Sequence, residues 1–225
     1  MNTKIVPAVM PRNWRGLEGA VRDVVGAVAL VQVDIMDGVF VGSRTWPYPK
    51  KSDWMQLAEK EGLPFWEEVD YELDLMIAAP EETLVEWGAL GPAQLVIHYE
   101  SVRNWEALRS VMAPFREYIQ FGLSFDDETP WGEVAKQMDG FSYVQCMGID
   151  EIGAQGNAFS ERVLSNIAAV QETHPGILIT VDGSVNRETI QSLDMAGAGR
   201  FVAGSAIYGT DNPRTAIEGL ASLLQ

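Results

Sequence analysis

Two short segments carry the residues best suited to chemistry. Val31-Gln32-Val33-Asp34-Ile35-Met36-Asp37-Gly38 comes early in the chain, and Ile179-Thr180-Val181-Asp182-Gly183-Ser184 comes late. In each, a strand-like alternation of apolar residues ends in a carboxylate just before glycine. Two carboxylates delivered to strand ends and facing each other across a barrel mouth can take a proton from one face of a carbon and return one to the other face. That is inversion at carbon, the chemistry of an epimerase or isomerase. A lone strand-end aspartate is as well explained by capping of the next helix. Two of them in such settings favour chemistry.

The elements that must position these groups follow from hydrophobic periodicity. Candidate strands fall at residues 5–10, 28–35, 71–77, 94–98, 118–125, 143–149, 177–181 and 200–203. Amphipathic stretches fall at 80–90, 104–112, 159–173, 187–196 and 213–224. Pro80 and Pro213 suit the first turn of a helix, and Asn212 suits an N-cap. Strands alternating with helices predict parallel βα units. At roughly 25–30 residues per unit, the economical closed solution is one (β/α)8 TIM barrel over residues 1–225, in a class of about 250 residues. An open doubly wound sheet needs a glycine-rich turn after its first strand. Pro11-Arg12-Asn13-Trp14 stands there instead.

Composition narrows the partners. The chain has 32 acidic residues against 16 basic ones, for a net charge of −16. Such a surface repels phosphate backbones and anionic membranes, which argues against nucleic acid and membrane partners. There is no apolar run of bilayer-spanning length, and the first residues lack the pattern of a secretory signal. The single cysteine, Cys146, cannot form an intramolecular disulfide. It fits a reducing, cytoplasmic compartment and reads as a small buried hydrophobe. A phosphate bound by so acidic a chain must be held at short range, by backbone N–H groups and helix N-termini.

Five ordered segments carry a family resemblance. Val33-Asp34-Ile35-Met36-Asp37-Gly38-Val39-Phe40-Val41 resembles the strand-2 signature of the ribulose-phosphate 3-epimerase family. Leu73-Asp74-Leu75-Met76-Ile77 with Pro80-Glu81 is similar to its strand-3 segment, and Val96-Ile97-His98-Tyr99-Glu100 to its strand-4 His-x-Glu. Val181-Asp182-Gly183-Ser184-Val185 resembles its strand-7 Val-Asp-Gly-Gly-Val. Ala196-Gly197-Ala198 with Val202-Ala203-Gly204-Ser205-Ala206-Ile207-Tyr208 resembles its strand-8 ending. The resemblance spans nearly the whole chain.

It implies a phosphosugar-binding (β/α)8 barrel that inverts C3 of a ketopentose phosphate through an enediolate. The acid and base fall on Asp34 and Asp182. Met36, Met76 and Met147 match methionines lining the family's site, where a polarisable thioether excludes water without offering a proton. Gly183-Ser184 and Gly204-Ser205 match the turns after strands 7 and 8, the usual phosphate position of such barrels. The family's divalent metal is held by two histidines and the two aspartates. Its positions here are Gln32, Asp34, Asp74 and Asp182.

The departures from the family pattern are specific. Gln32 and Asp74 replace the two metal-ligand histidines, Ala8 replaces a strand-1 serine, and Ser184 replaces a glycine. The loop at 150–157, Asp150-Glu151-Ile152-Gly153-Ala154-Gln155-Gly156-Asn157, is one residue longer than the family's and lacks its proline. Imidazoles suit Zn or Fe, whereas carboxylate and amide oxygens suit Mg or Mn. An all-oxygen site at Gln32, Asp34, Asp74 and Asp182 is one outcome, and a site with no metal is the other. Without a metal, the three aspartates crowd like charges and raise at least one pKa. His98 sits at a strand end, where a satisfied core imidazole is the commoner role, and His174 reads as a solvated helix-end residue.

The expected function is thus a ketose-phosphate 3-epimerase acting on a small phosphosugar, in an architecture that also admits a homo-oligomer. The alternative is a non-catalytic phosphosugar-binding or regulatory protein on a decayed epimerase scaffold. A lyase of the related phosphate-binding barrels ranks last. It typically carries Asp-x-Lys-x-x-Asp, and Met36 stands where the lysine would be. The loop at 46–51, Trp46-Pro47-Tyr48-Pro49-Lys50-Lys51, can serve as a lid or as a subunit contact.

Overall fold

The computed structural model describes residues 1–49, 62–154 and 156–224. Eight strands form a closed parallel barrel in sequence order. They are β1 (Ile5–Val9), β2 (Leu30–Met36), β3 (Asp70–Met76), β4 (Gln94–His98), β5 (Gln120–Phe125), β6 (Tyr143–Met147), β7 (Leu178–Asp182) and β8 (Arg200–Ala203). Each lies within two residues of its expected span. The barrel closes where β1 pairs with β8, Ile5 opposite Phe201.

The α-helices among the described residues are α1 (Trp14–Val24), α2 (Leu84–Gly88), α3 (Trp105–Met112), α4 (Trp131–Val134), α5 (Arg162–Thr173), α6 (Ile190–Ala196), α7 (Ser205–Tyr208) and α8 (Pro213–Ala221). The expected helix at 80–90 is split into a 3-10 turn at Pro80–Glu82 and α2. Asn212 caps α8 by accepting from Thr215 N at 3.1 Å, and Pro213 opens it. Helix α1 was not among the expected segments. Its signal was nonetheless present: Leu17, Val21 and Val24 make one buried stripe, and Asn13 caps the start by accepting from Gly16 N. None of the described helices is long and apolar enough to cross a membrane.

Period-2 alternation along each strand sorts the core into two compartments. On β2, Val31, Val33 and Ile35 join the large apolar core between barrel wall and helices. Gln32, Asp34 and Met36 alternate with them and project the other way, into the lumen. The same alternation on β3 places Glu72, Asp74 and Met76 there. On β6 it places Tyr143, Gln145 and Met147, where a Cβ on Gly122 of β5 would lie 2.2 Å from the Tyr143 ring. Glycine at 122 is what lets that ring fill the barrel.

The described part of the aromatic loop packs inward. Trp46 is 5% exposed and stacks edge-on against Trp14 with centroids 5.4 Å apart, while Tyr48 meets Trp87. Lys50 and Lys51 lie outside the described residues. Cys146 is fully buried, and burial pushes its thiol pKa well up, as a small core hydrophobe requires.

Candidate active site

The C-terminal ends of β2 and β7 bring Asp34 and Asp182 together at a cavity of about 260 Å³. Asp34 is held from behind by its loop. The Thr45 hydroxyl donates to the Asp34 carbonyl at 2.5 Å and accepts from Met36 N at 2.8 Å, pinning the strand end. Asp37 is spent differently. Its carboxylate accepts from Val39 N, Phe40 N and Ala78 N, so it braces the loops after β2 and β3.

Gln32 lies one lumen step below Asp34. Its Nε2 donates to Asp34 Oδ1 at 2.9 Å and to Asp182 Oδ2 at 2.7 Å, so one amide bridges both carboxylates. Asp74 pairs in register with Asp34 on the neighbouring strand. It is fully buried, bonded to His98 Nε2 at 2.8 Å and accepting from Gln145 Nε2 at 3.0 Å. His98 is therefore a buried, engaged imidazole, and His174 a partly exposed residue capping α5 and meeting Trp131 edge-on.

These surroundings set the protonation chemistry. Burial, then the charges of Asp182 and Asp74, raises the Asp34 pKa well above the usual carboxylate value, with the Gln32 bond pulling the other way. Burial, then Asp74, pushes Asp182 up to about 7. Burial opposes charge on His98, yet Asp74, followed by Glu100 and Asp126, holds its pKa above the ordinary value. Asp182 so placed takes up a proton near neutrality, and Asp34 does so above the ordinary carboxylate range.

Met36, Met76 and Met147 line the cavity with Asp34 and Asp182, and Gly183, Ser184, Gly204 and Ser205 line it too. Gln32 and Asp74 sit beneath it. Gly183 has φ +100° and Ser184 φ +53°. The serine carries the left-handed strain that a glycine would escape, and its hydroxyl donates to the Asn157 carbonyl at 2.5 Å. A Cβ on Gly148 would lie 2.4 Å from the Gly183 carbonyl oxygen, so the ends of β6 and β7 approach backbone to backbone. Ala8 lines the cavity in place of a hydroxyl, and the 150–157 loop contributes Gly153, Ala154, Gly156 and Asn157. Gln155 lies outside the described residues. Sequence reasoning did not single out Met10, Gln145, Ile149 or Asn186. Gln145, Ile149 and Met10 had a readable signal, because they lie two residues from Met147 or Ala8 on the expected alternating strands, whereas Asn186 had none.

The residues fit a divalent cation. Asp34, Asp74 and Asp182 each offer a carboxylate oxygen within 4.8 Å of the others. Gln32 presents nitrogen to the carboxylates, and its Oε1 is buried without a partner. Turning the amide over would make the set all-oxygen, which suits a hard cation.

A closed parallel barrel with paired carboxylates of raised pKa at its C-terminal mouth is the architecture of a (β/α)8-barrel enzyme. The family model described as Ribulose-phosphate 3 epimerase family matches residues 4–208, and the chain belongs to that family, whose members are isomerases. It is 29% identical to ribulose-phosphate 3-epimerase of Mycobacterium tuberculosis (strain ATCC 25618 / H37Rv), covering 96% of this chain and 90% of that protein. It is 26% identical to ribulose-phosphate 3-epimerase of Bacillus subtilis (strain 168), covering 95% and 96%. Against the cytoplasmic isoform from Oryza sativa subsp. japonica the identity is 27%, covering 96% and 92%. Among solved structures, 3-hexulose-6-phosphate synthase from Salmonella typhimurium superposes with a TM-score of 0.69 at 14% identity, over 98% of each chain. That likeness is one of fold.

Proposed function

We propose that the protein is a ketose-phosphate 3-epimerase, interconverting ribulose 5-phosphate and xylulose 5-phosphate or a closely related phosphosugar. The observation that carries this reading is the Gln32 amide bridging the buried Asp34 carboxylate and the half-buried Asp182 carboxylate, whose pKa values are both raised. Like charges so close do not readily ionise together, so the pair holds one proton in common. The ionised member takes the C3 proton. The protonated member returns one on the opposite face, and the roles exchange in the reverse reaction. Met36, Met76 and Met147 keep water from the enediolate. The amides of Gly183-Ser184 and Gly204-Ser205 receive the phosphate at short range, as an acidic chain requires.

Asp34, Asp74, Asp182 and a turned Gln32 would hold a divalent cation, with Mg or Mn favoured over Fe or Zn by the oxygen donors. When bound, it supplies Lewis acidity to the C2 carbonyl. The name of one relative, a cytoplasmic isoform, supports a cytoplasmic setting.

The test is C3 proton exchange, followed by NMR in deuterated buffer with ribulose 5-phosphate and with Mg, Mn, Fe or Zn added singly. Exchange at turnover rates supports the epimerase. Tight sugar binding without exchange under any metal would replace it with a phosphosugar-binding role.

A further inference from the structure

A second group of ligating side chains lies at the ends of β4 and β5, outside the carboxylate cluster. His98 closes β4, Glu100 lies in the 3-10 turn Tyr99–Ser101 that follows, and Asp126 comes directly after β5. Each offers a ligand atom within 4.8 Å of the other two. Each also has a buried polar atom with no partner: His98 Nδ1, Glu100 Oε2 and Asp126 Oδ1.

The rest of each side chain is already committed. His98 spends Nε2 on Asp74, and the imidazole is fully buried. Glu100 spends Oε1 on Asp126 N at 3.0 Å and on the Thr129 hydroxyl at 2.5 Å. The nearby guanidinium of Arg162 goes to Asp127 and Glu128. Three neighbouring residues thus keep one buried atom each unsatisfied, which is costly unless something is held between them.

We propose that His98 Nδ1, Glu100 Oε2 and Asp126 Oδ1 form a second divalent-cation site. One imidazole and two carboxylates suit Mn, Fe or Zn, and the two negative charges balance the ion. The ligand must enter at Nδ1, because Nε2 then carries the hydrogen donated to Asp74. That gives the carboxylate–histidine–metal arrangement by which protein metal sites orient an imidazole. Asp74 becomes a positioning residue for this ion while it stands beside the active-site aspartates. Burial, then Glu100, pushes the Asp126 pKa up to about 6, and a cation beside it would favour its charged form. This site does not depend on the epimerase reading.

The test uses manganese as probe and reads the nitrogen coupled to it. The chain has two histidines, and the active-site cluster contains none. In tag-free protein, the strong electron spin-echo modulation of a directly ligated imidazole nitrogen, unlike the weaker coupling to His98 Nε2 across Asp74, therefore reports this site or His174. We expect modulation in the wild type and in His174→Gln. We expect it to vanish in Asp126→Asn and Glu100→Gln, with manganese still bound at the all-oxygen cluster. Loss of outer-shell partners alone costs about 10–100-fold in metal affinity, so loss of a ligand should cost at least that. Both substitutions keep the side chain's shape, and circular dichroism checks the fold. No modulation in the wild type at millimolar manganese would mean that water or a proton satisfies the three atoms, and would overturn the proposal. Modulation unchanged in both variants would overturn it too.

Discussion

Two charged layers share the barrel lumen one strand step apart. In the lower layer, Glu72 Oε2 accepts from the Tyr143 hydroxyl and from Arg200 Nη2, both at 2.5 Å. Arg200 also donates to Thr180 Oγ1 at 2.9 Å and to Gln94 Oε1, and its guanidinium lies 4.6 Å from the Tyr143 ring centroid. One carboxylate meets one guanidinium, and the layer is electrically complete. In the upper layer, three carboxylates meet two amides and an imidazole. The difference separates architecture from chemistry. Burial alone does not mark a functional site, because both layers are largely buried, with Asp182 half-buried at the mouth. The upper layer is left short of positive charge, so a proton, a cation or a substrate completes it.

The contrast breaks first at the aspartates. Asp34→Asn or Asp182→Asn should lower C3 proton exchange by about a hundred- to ten-thousand-fold, the range of a general acid–base group. The variants should stay folded, as read by circular dichroism. Near-normal turnover in either variant would sink the two-base assignment. The lower layer should respond in the opposite manner. Arg200→Met strands a buried carboxylate and should cost about 3–5 kcal/mol in urea unfolding. Turnover per folded molecule should hold. A cost below about 1 kcal/mol would mean the layer is not the closed ion pair described.

The pH dependence sharpens the comparison in metal-free protein. Asp182 titrates at about 7 in the folded chain against an ordinary value of 3.8. Between those values the folded state holds a proton that the unfolded state has lost. The contribution of Asp182 to stability is therefore full below about pH 4 and declines as pH rises through 7. Unfolding followed from pH 4 to 8 should show this fall, and Asp182→Asn should flatten it. An unchanged slope in the variant would place the proton elsewhere. The smallest effect is expected at Ser184. Ser184→Gly relieves left-handed strain of about 1 kcal/mol and forfeits one hydrogen bond of about 1 kcal/mol. Its melting temperature should barely move. A large drop would show the bond to the Asn157 carbonyl to be essential to the loop.

The strands were legible because period-2 alternation is local, and β4 and β8 fall on their expected spans. Helix α1 was legible in principle from Asn13 and the Leu17, Val21, Val24 stripe, but its polar face obscured it. At the site, the sequence pointed to Asp34, Asp182 and the three methionines, and the cavity gathers all five. What could not be read was who bonds to whom across the lumen. Nothing near Gln32 says that its amide reaches a carboxylate 150 positions away. Nothing near Asp74 says that His98 and Gln145 claim its two oxygens. Those pairings depend on barrel closure and register, which bring distant strands into contact.

The Tyr143 ring carries one more consequence. Seated against Gly122 and capped by Arg200, it stoppers the lumen beneath the aspartates. On the proposed reaction, Asp34 and Asp182 would refresh their hydrogens with solvent only at the mouth, where a sugar would also have to enter. A bound sugar would cork that opening, so isotope from the medium would enter chiefly in the intervals between visits. The ratio of label uptake to product formed would then be a clock for how long each visit lasts.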